Sequence, residues 1–375
     1  MLSAALLALG ATGCRPHDFP DYTRDYREFA YVTNGGSGTV TVLDLVNMRQ
    51  DRVLAVGQQP TSVTANPVRN EVYAVNSGSN SVSVIDTRKN AVVATIAVDQ
   101  RPYFIDVSAD GTRGYVANAG SNDVSVIDLD ARRKIATIGV GEGPGKARIA
   151  PDGGTLVVTN EKSGSVSVVD PRAMKVRAVF PGCPGATDAA ILPDSSKALV
   201  ACSGGRQVMV LGLARKSGME SEKRDRLLCL LDVGKTPVHV AVKPDGGEAF
   251  VTNFDGGSFS EMVTSTAEVG GTYPIGTHPS QAIVTADNAL LWVSNFGDGT
   301  VSRYSIDDGK LLDDVRTGVG PDALALSREG HLLLVVDADS SDVAVVRTKT
   351  HSLFTLLPTG LKPNAIAVKA FKLRD

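Results

Sequence analysis

From about residue 29 onward, apolar and polar positions alternate in runs of five to seven residues, each run closed by Gly, Asn, Asp, Pro or Ser. "YVTNGGSGTVTVLD" from Tyr31, "YAVNSGSNSVSVID" from Tyr73 and "YVANAGSNDVSVID" from Tyr115 are three copies of one such passage, 42 residues apart. Runs this short, rich in Val, Ile, Thr and Tyr and separated by turn formers, predict strands and hairpins rather than helices. Aligned on the residue that opens the repeated strand, the series continues through Val157, Leu199, Phe250, Trp292 and Leu334. Only the step from Leu199 to Phe250 is longer, by nine residues, and it contains the charged passage 214–226.

Each repeat holds four such runs, as between Pro102 and Gly141, and four short strands about every 42 residues describe one blade of a β-propeller. The first repeat begins at its second strand near Phe29, and the chain ends on a lone first-type strand, Asn364 to Ala370. Pairing these ends leaves no exposed sheet edge. The expectation is therefore an all-β propeller over residues 29–371, of eight four-stranded blades, with seven as the second choice. N-terminal strands and a C-terminal innermost strand share the closing blade.

The turn residues have local causes. Proline in "GQQP", "GEGP" and "GTHP" opens each innermost strand, where no ladder donor is lost. Asn34, Asn76, Asn118, Asn160, Asn253 and Asn295 close the second strand, as expected of a side chain that bonds its own turn and tolerates left-handed geometry. Cys202 and Asp337 stand in the other two repeats.

The Y-V-T-N strand, the G-S-x-x-V-S-V-I-D strand and the G-x-x-P turn together resemble the YVTN-family β-propeller repeat proteins of bacteria and archaea. The resemblance implies an exported or surface protein, often described only as a binding or repeat protein. Similar propellers serve as lactonases acting on sugar lactones and as haem-binding domains, so the fold alone implies no activity.

The first residues agree with export. Met1 to Cys14 is a short apolar run that resembles a secretion signal with a lipobox, in which Cys14 is lipidated; residues 15–28 read as a polar tether. The expected location is periplasmic or on the cell surface, with the membrane reached only through the lipid. A net charge of −3, with 21% charged residues, gives no general support for nucleic-acid binding. Arg101, Tyr103, Phe104 and Lys146 offer one thin sector for single strands, a lesser reading.

Ligands of such rings usually sit where the loops enter the innermost strands. The second residue of those strands after the turn reads Ser62, Phe104, Lys146, Asp188, His239, Gln281, Ala323 and Ala365; the fourth includes Thr64, Asp106 and Arg148. Tyr103, Asp106, Lys146, Arg148, Asp188 and His239 are thus the candidate ligand-binding residues. Asp106 and Arg148, at equivalent positions of successive blades, should form a structural ion pair, clamp an anion, or rim a wet channel.

The five histidines, His17, His239, His278, His331 and His351, show neither a metal-ligand spacing nor a C-x-x-C-H haem attachment, so no metal and no covalent cofactor is expected, while noncovalent haem stays open. Cys183 and Cys202 face each other across antiparallel strand ends; a disulfide between them and a set of buried thiols are both open. With no recognised catalytic constellation, the leading expectation is a monomeric, noncatalytic binding module that takes a protein or a small anionic ligand at its channel mouth. The alternative is a lactonase-type hydrolase using Arg148, Lys146 and His239.

Overall fold

The computed structural model describes residues 22–214 and 223–373. The signal and lipobox segment with Cys14, the first part of the tether and the centre of the charged passage lie outside the described residues. Eight four-stranded sheets, each antiparallel, follow one another along the chain as the blades of a propeller. In the second blade the strands Pro60–Ala65, Glu71–Asn76, Ser81–Asp86 and Ala91–Ala97 run in order from the channel outward. The seven-bladed alternative is thereby set aside.

The closing blade joins the two chain ends. Its order is Arg49–Ala55, Thr39–Asp44, Tyr26–Asn34 and, innermost, Pro363–Lys372. Tyr31 stands opposite Ala367, and pairing extends to Tyr26 opposite Lys372. The first strand thus starts three residues before the expected boundary. Tyr26, Arg27 and Glu28 carry no apolar signal, yet Glu28 is only 1% exposed, and its carboxylate accepts the Arg328 N–H at 2.6 Å. A buried contact with the neighbouring blade, not hydrophobicity, extends the strand.

The core lies between blades. Tyr73, Val75 and Val84 of the second blade pack against Ile105, Val116 and Ile127 of the third, all essentially fully buried. Each such side chain removed from water is worth about 1.5–3 kcal/mol. At the far ends of the first four blades, the terminal Asp of the third strand caps its own turn. Asp86 Oδ1 accepts the N–H groups of Arg88 and Lys89, and Asp44, Asp128 and Asp170 do the same.

The strand-ending asparagines act differently from expectation. Asn76 and Asn253 are extended, with φ near −106° and −110°, and the left-handed residue of those turns is instead Asn80 or Gly257. The Asn76 Nδ2 donates across to Ser81 Oγ and Ser83 Oγ of the next strand, at 3.2 and 3.0 Å; the other five make the equivalent pair of bonds. The amide clamps two strands rather than its own turn. A glycine of the preceding turn lies against it: a Cβ on Gly57 would stand 2.6 Å from the Asn76 Cβ.

In the fifth blade that contact is covalent. Cys183 occupies the glycine position and Cys202 the asparagine position, and the two are joined by a disulfide with their Cα atoms 4.8 Å apart. Cys229 is the free cysteine among the described residues. Closing a loop with a sequence separation of 19 should contribute about 3 kcal/mol. The Cys183→Ala/Cys202→Ala variant should lose that amount in urea unfolding, and dithiothreitol should reproduce the loss in the wild type but leave the variant unmoved.

Candidate functional site

Neighbouring innermost strands cannot complete each other's hydrogen bonds directly, and side chains bridge the gap. Thr64 Oγ1 donates to Ile105 O at 2.9 Å, and Asp106 Oδ2 accepts Ile149 N at 3.1 Å. Asp188 Oδ2 accepts Val240 N at 3.2 Å, and Gln281 Oε1 accepts Leu324 N at 3.2 Å. Each bridge links one blade to the next, so several polar residues at the hub are tied up in holding the ring together.

The bridges also decide the fate of Asp106 and Arg148. No ion pair joins them. Asp106 receives the N–H groups of Val107 and Ile149 on its two oxygens, and burial pushes its carboxyl up despite the Arg148 charge. The Arg148 guanidinium lies over the Phe104 ring, 4.4 Å from its centroid, and reaches Asp188 Oδ1 at 3.8 Å instead. The pairing runs to the following blade because the preceding blade's carboxylate is already occupied.

Asp188 is the electrostatic centre. It is buried, His239 Nδ1 stands 2.8 Å from its Oδ2, and its Oδ1 has no hydrogen-bond partner. Burial alone would raise this carboxyl, but the His239 contact and the Arg148 and Lys146 charges outweigh it and hold it well below the usual carboxylate range. The other His239 nitrogen, Nε2, faces Ala282 O at 3.1 Å. Both ring nitrogens therefore stand against oxygen atoms of the neighbouring strands.

Lys146 completes the cationic wall. Its ammonium sits 4.3 Å from the Phe104 centroid and 5.9 Å from that of Tyr103, contacts favourable to a cation over an aromatic face. Burial pushes its pKa down, Asp188 working against the shift. Among the described residues neither Lys146 Nζ nor any guanidinium nitrogen of Arg148 donates a hydrogen bond. Both line a cavity of about 490 Å³ at the channel mouth, together with Tyr103, Asp106, Asp188 and His239. All six expected ligand-binding residues therefore meet in one place.

Asp322 and Phe254 are among the lining residues that the sequence did not single out. Asp322, directly after the turn proline, has its carboxyl pushed up by burial, with Ser280, Lys146 and His239 opposing. Its signal was an acid where other repeats carry Thr61, Tyr103, Gly145, Thr187, Val238, Ser280 or Asn364. Phe254 enters from the end of a second strand, outside the innermost strands. Among the described residues no group of three His, Cys, Asp or Glu side chains is arranged to hold a metal ion.

A second cavity, of about 440 Å³, opens on the opposite face between the third and fourth blades. Between the first two blades Tyr31 Oη donates to Asn90 at 2.5 Å; at the matching places here stand Tyr115 and Met174, which leave the cleft unclosed. Its Arg113 is paired with Asp128 and its Asp110 with Ser108 and Thr112. Arg172 lines this cavity as well.

Two family models match parts of the chain. The one described as "YNCE-like beta-propeller" covers residues 2–148. The one described as "Lactonase, 7-bladed beta-propeller" covers residues 246–362. The chain is a β-propeller protein. It has eight blades where the second family's description has seven. No curated protein matches this propeller's sequence.

Solved structures share the propeller's shape. Dihydro-heme d1 dehydrogenase NirN, in complex with DHE, superposes with a TM-score of 0.74 at 15% identity, over 90% of this chain and 74% of that one. A putative 6-phosphogluconolactonase from Bacteroides fragilis gives 0.64 at 16%, over 94% and 100%. Another from Bacteroides uniformis gives 0.63 at 13%, over 92% and 100%. At such identities the likeness is one of fold. The match to a lactonase family model nevertheless overturns the expectation of a noncatalytic binding module, which rested on the absence of any recognised catalytic constellation.

Proposed function

We propose that this propeller is a lactonase-type hydrolase that opens a sugar lactone carrying an anionic group. The observation that carries the reading is the pair of cations, Lys146 and Arg148, whose donors are unused within the mouth cavity. The lactonase family match over residues 246–362 supports it.

In this reading Lys146 holds the anionic substituent and the planar Arg148 fork faces the ring carbonyl. Water adds to the carbonyl carbon, its proton passing to Asp322, and the carbonyl electron pair moves to oxygen, where Arg148 stabilises the developing charge. Collapse of the tetrahedral species breaks the ring C–O bond, and the ring oxygen takes up a proton to become a hydroxyl. Lactone and water thus give a hydroxy acid, which releases its proton at neutral pH. His239, with both ring nitrogens engaged by Asp188 and the Ala282 carbonyl, holds Asp188 in place rather than serving as the base.

A pH-stat measurement on glucono-δ-lactone and its carboxylated or phosphorylated counterparts tests this. Saturable acid release above the spontaneous rate is expected, faster for the anionic lactones, with kcat lowered in Asp322→Asn. Release at only the spontaneous rate with all of them would sink the reading.

We also infer an exported, lipid-anchored protein of the YVTN-repeat kind, on the support of the apolar start ending at Cys14 and the repeated Y-V-T-N strand. Mass spectrometry of the mature N-terminus should find Cys14 acylated.

A further inference from the structure

We propose that Phe254, His278 and Phe296 form a ring-stacking subsite on the rim of the mouth, so that the substrate carries a second, flat-faced ring besides its anionic group. This rests on the lactonase reading and narrows its substrate class to aryl- or glycosyl-substituted lactones.

The repeat itself marks the subsite. The residue that follows the strand-ending Asn, Cys or Asp is small or polar in six blades: Gly35, Ser77, Ala119, Glu161, Ser203 and Ala338. In the two consecutive blades that remain it is Phe254 and Phe296. A turn that works with glycine or serine has no folding need for phenylalanine, and both rings are only partly buried. Apolar area left in contact with water at one edge of a cavity points to a ligand that covers it.

The aromatic groups are also organised. The Phe254 ring stacks on His278, with centroids 4.6 Å apart and planes 13° from parallel, and stands 6.4 Å from Phe296 at a tilt of 47°. Phe296 is seated against Gly320 of the next blade, where a Cβ would come within 3.0 Å of the ring and φ is +67°. A larger residue there would displace the ring. Of the three, Phe254 lines the same cavity as Lys146 and Arg148, with His278 and Phe296 behind it, so one cavity offers an aromatic face and a cationic wall. Aromatic faces favour stacked, flat partners, and the cations favour an anion; a ligand that satisfies both has a ring and a negative charge on one skeleton.

The test compares kcat/KM for an unsubstituted aldonolactone, its aryl ether and its glycosyl derivative in the wild type, Phe254→Ala and Phe254→Leu. The wild type should prefer one of the ring-bearing lactones by about tenfold or more, the size expected for a stacked ring. Both variants should lose that preference and stay within about twofold of the wild type on the unsubstituted lactone; the leucine variant keeps the bulk and guards against a folding defect. An aryl preference and a glycosyl preference each identify the ring. Equal losses on every lactone, or no ring preference in the wild type, would overturn the subsite. If no lactone is turned over, calorimetry with 4-nitrophenyl phosphate and inorganic phosphate decides separately. Tighter binding of the aryl ester that vanishes in Phe254→Ala upholds the subsite although the lactonase reading has failed, whereas equal or undetectable binding of both rejects it.

Discussion

Arg148→Ala should lower kcat/KM on an anionic lactone by about two to three orders of magnitude, the usual loss when a donor to a developing oxyanion is removed, while Tm moves by no more than about 2 °C. The small thermal effect follows from the contacts. The guanidinium side chain is 33% exposed and makes no hydrogen bond, and its ion-pair contact, to Asp188, is long at 3.8 Å. Without it Asp188 keeps His239 and the Val240 N–H, so no buried charge is stranded. Arg148→Lys retains the charge but loses the planar fork, and should recover only part of the rate. Parallel measurement of turnover and thermal unfolding separates the two roles: a drop of many degrees with turnover intact would make Arg148 a structural residue.

The second large effect concerns the stability of the last repeat. Asp337 replaces the clamp asparagine, and Asp342, directly opposite it, replaces the hydroxyl that the amide would meet. Asp337 is fully buried, and burial, with the Asp342 carboxyl adding to it, pushes its pKa up to about 7. The unfolded value is about 3.9, so the folded chain holds a proton that the unfolded chain releases. This contribution is fully present below the unfolded pKa and disappears as pH rises through about 7. Wild-type stability should therefore fall from about pH 4 to pH 7 and level off above, with a loss on the order of 3 kcal/mol from this site between pH 5 and pH 9.

Asp337→Asn should flatten that fall. Its amide would donate to Asp342 as Asn118 Nδ2 already donates to Asp123 at 2.7 Å in the third blade. Urea unfolding of both proteins at pH 5 and pH 9 is the measurement. The variant should gain several degrees in Tm at pH 9 and little at pH 5; an unchanged difference between the two pH values would mean that the carboxyl pair does not share a proton.

Phe254 shows where a repeat is most readable for function. In the first repeats the turn after the asparagine is interchangeable, and one copy explains another; at Phe254 and Phe296 the pattern breaks in two adjacent blades without breaking the fold. Cys183 and Cys202 are a second such departure, replacing a glycine–asparagine contact by a covalent one. Asp322 carried a similar signal, an acid at a position that is otherwise neutral in the aligned repeats, but only its position in the cavity gives the difference a chemical meaning.

Strand order, blade number and the meeting of the two chain ends were readable from the amino-acid sequence, because they depend on alternation, turn residues and a period that recur locally and reinforce one another. The ring of polar residues on the innermost strands was readable for the same reason. Which of them pair was not: Arg148 is equidistant in repeat units from Asp106 and Asp188, and the choice fell to Asp188 because the Ile149 N–H of the adjoining strand had taken Asp106. That selection depends on the stagger between blades and on competition for a few buried hydrogen-bonding groups, quantities that exist only once the ring is closed.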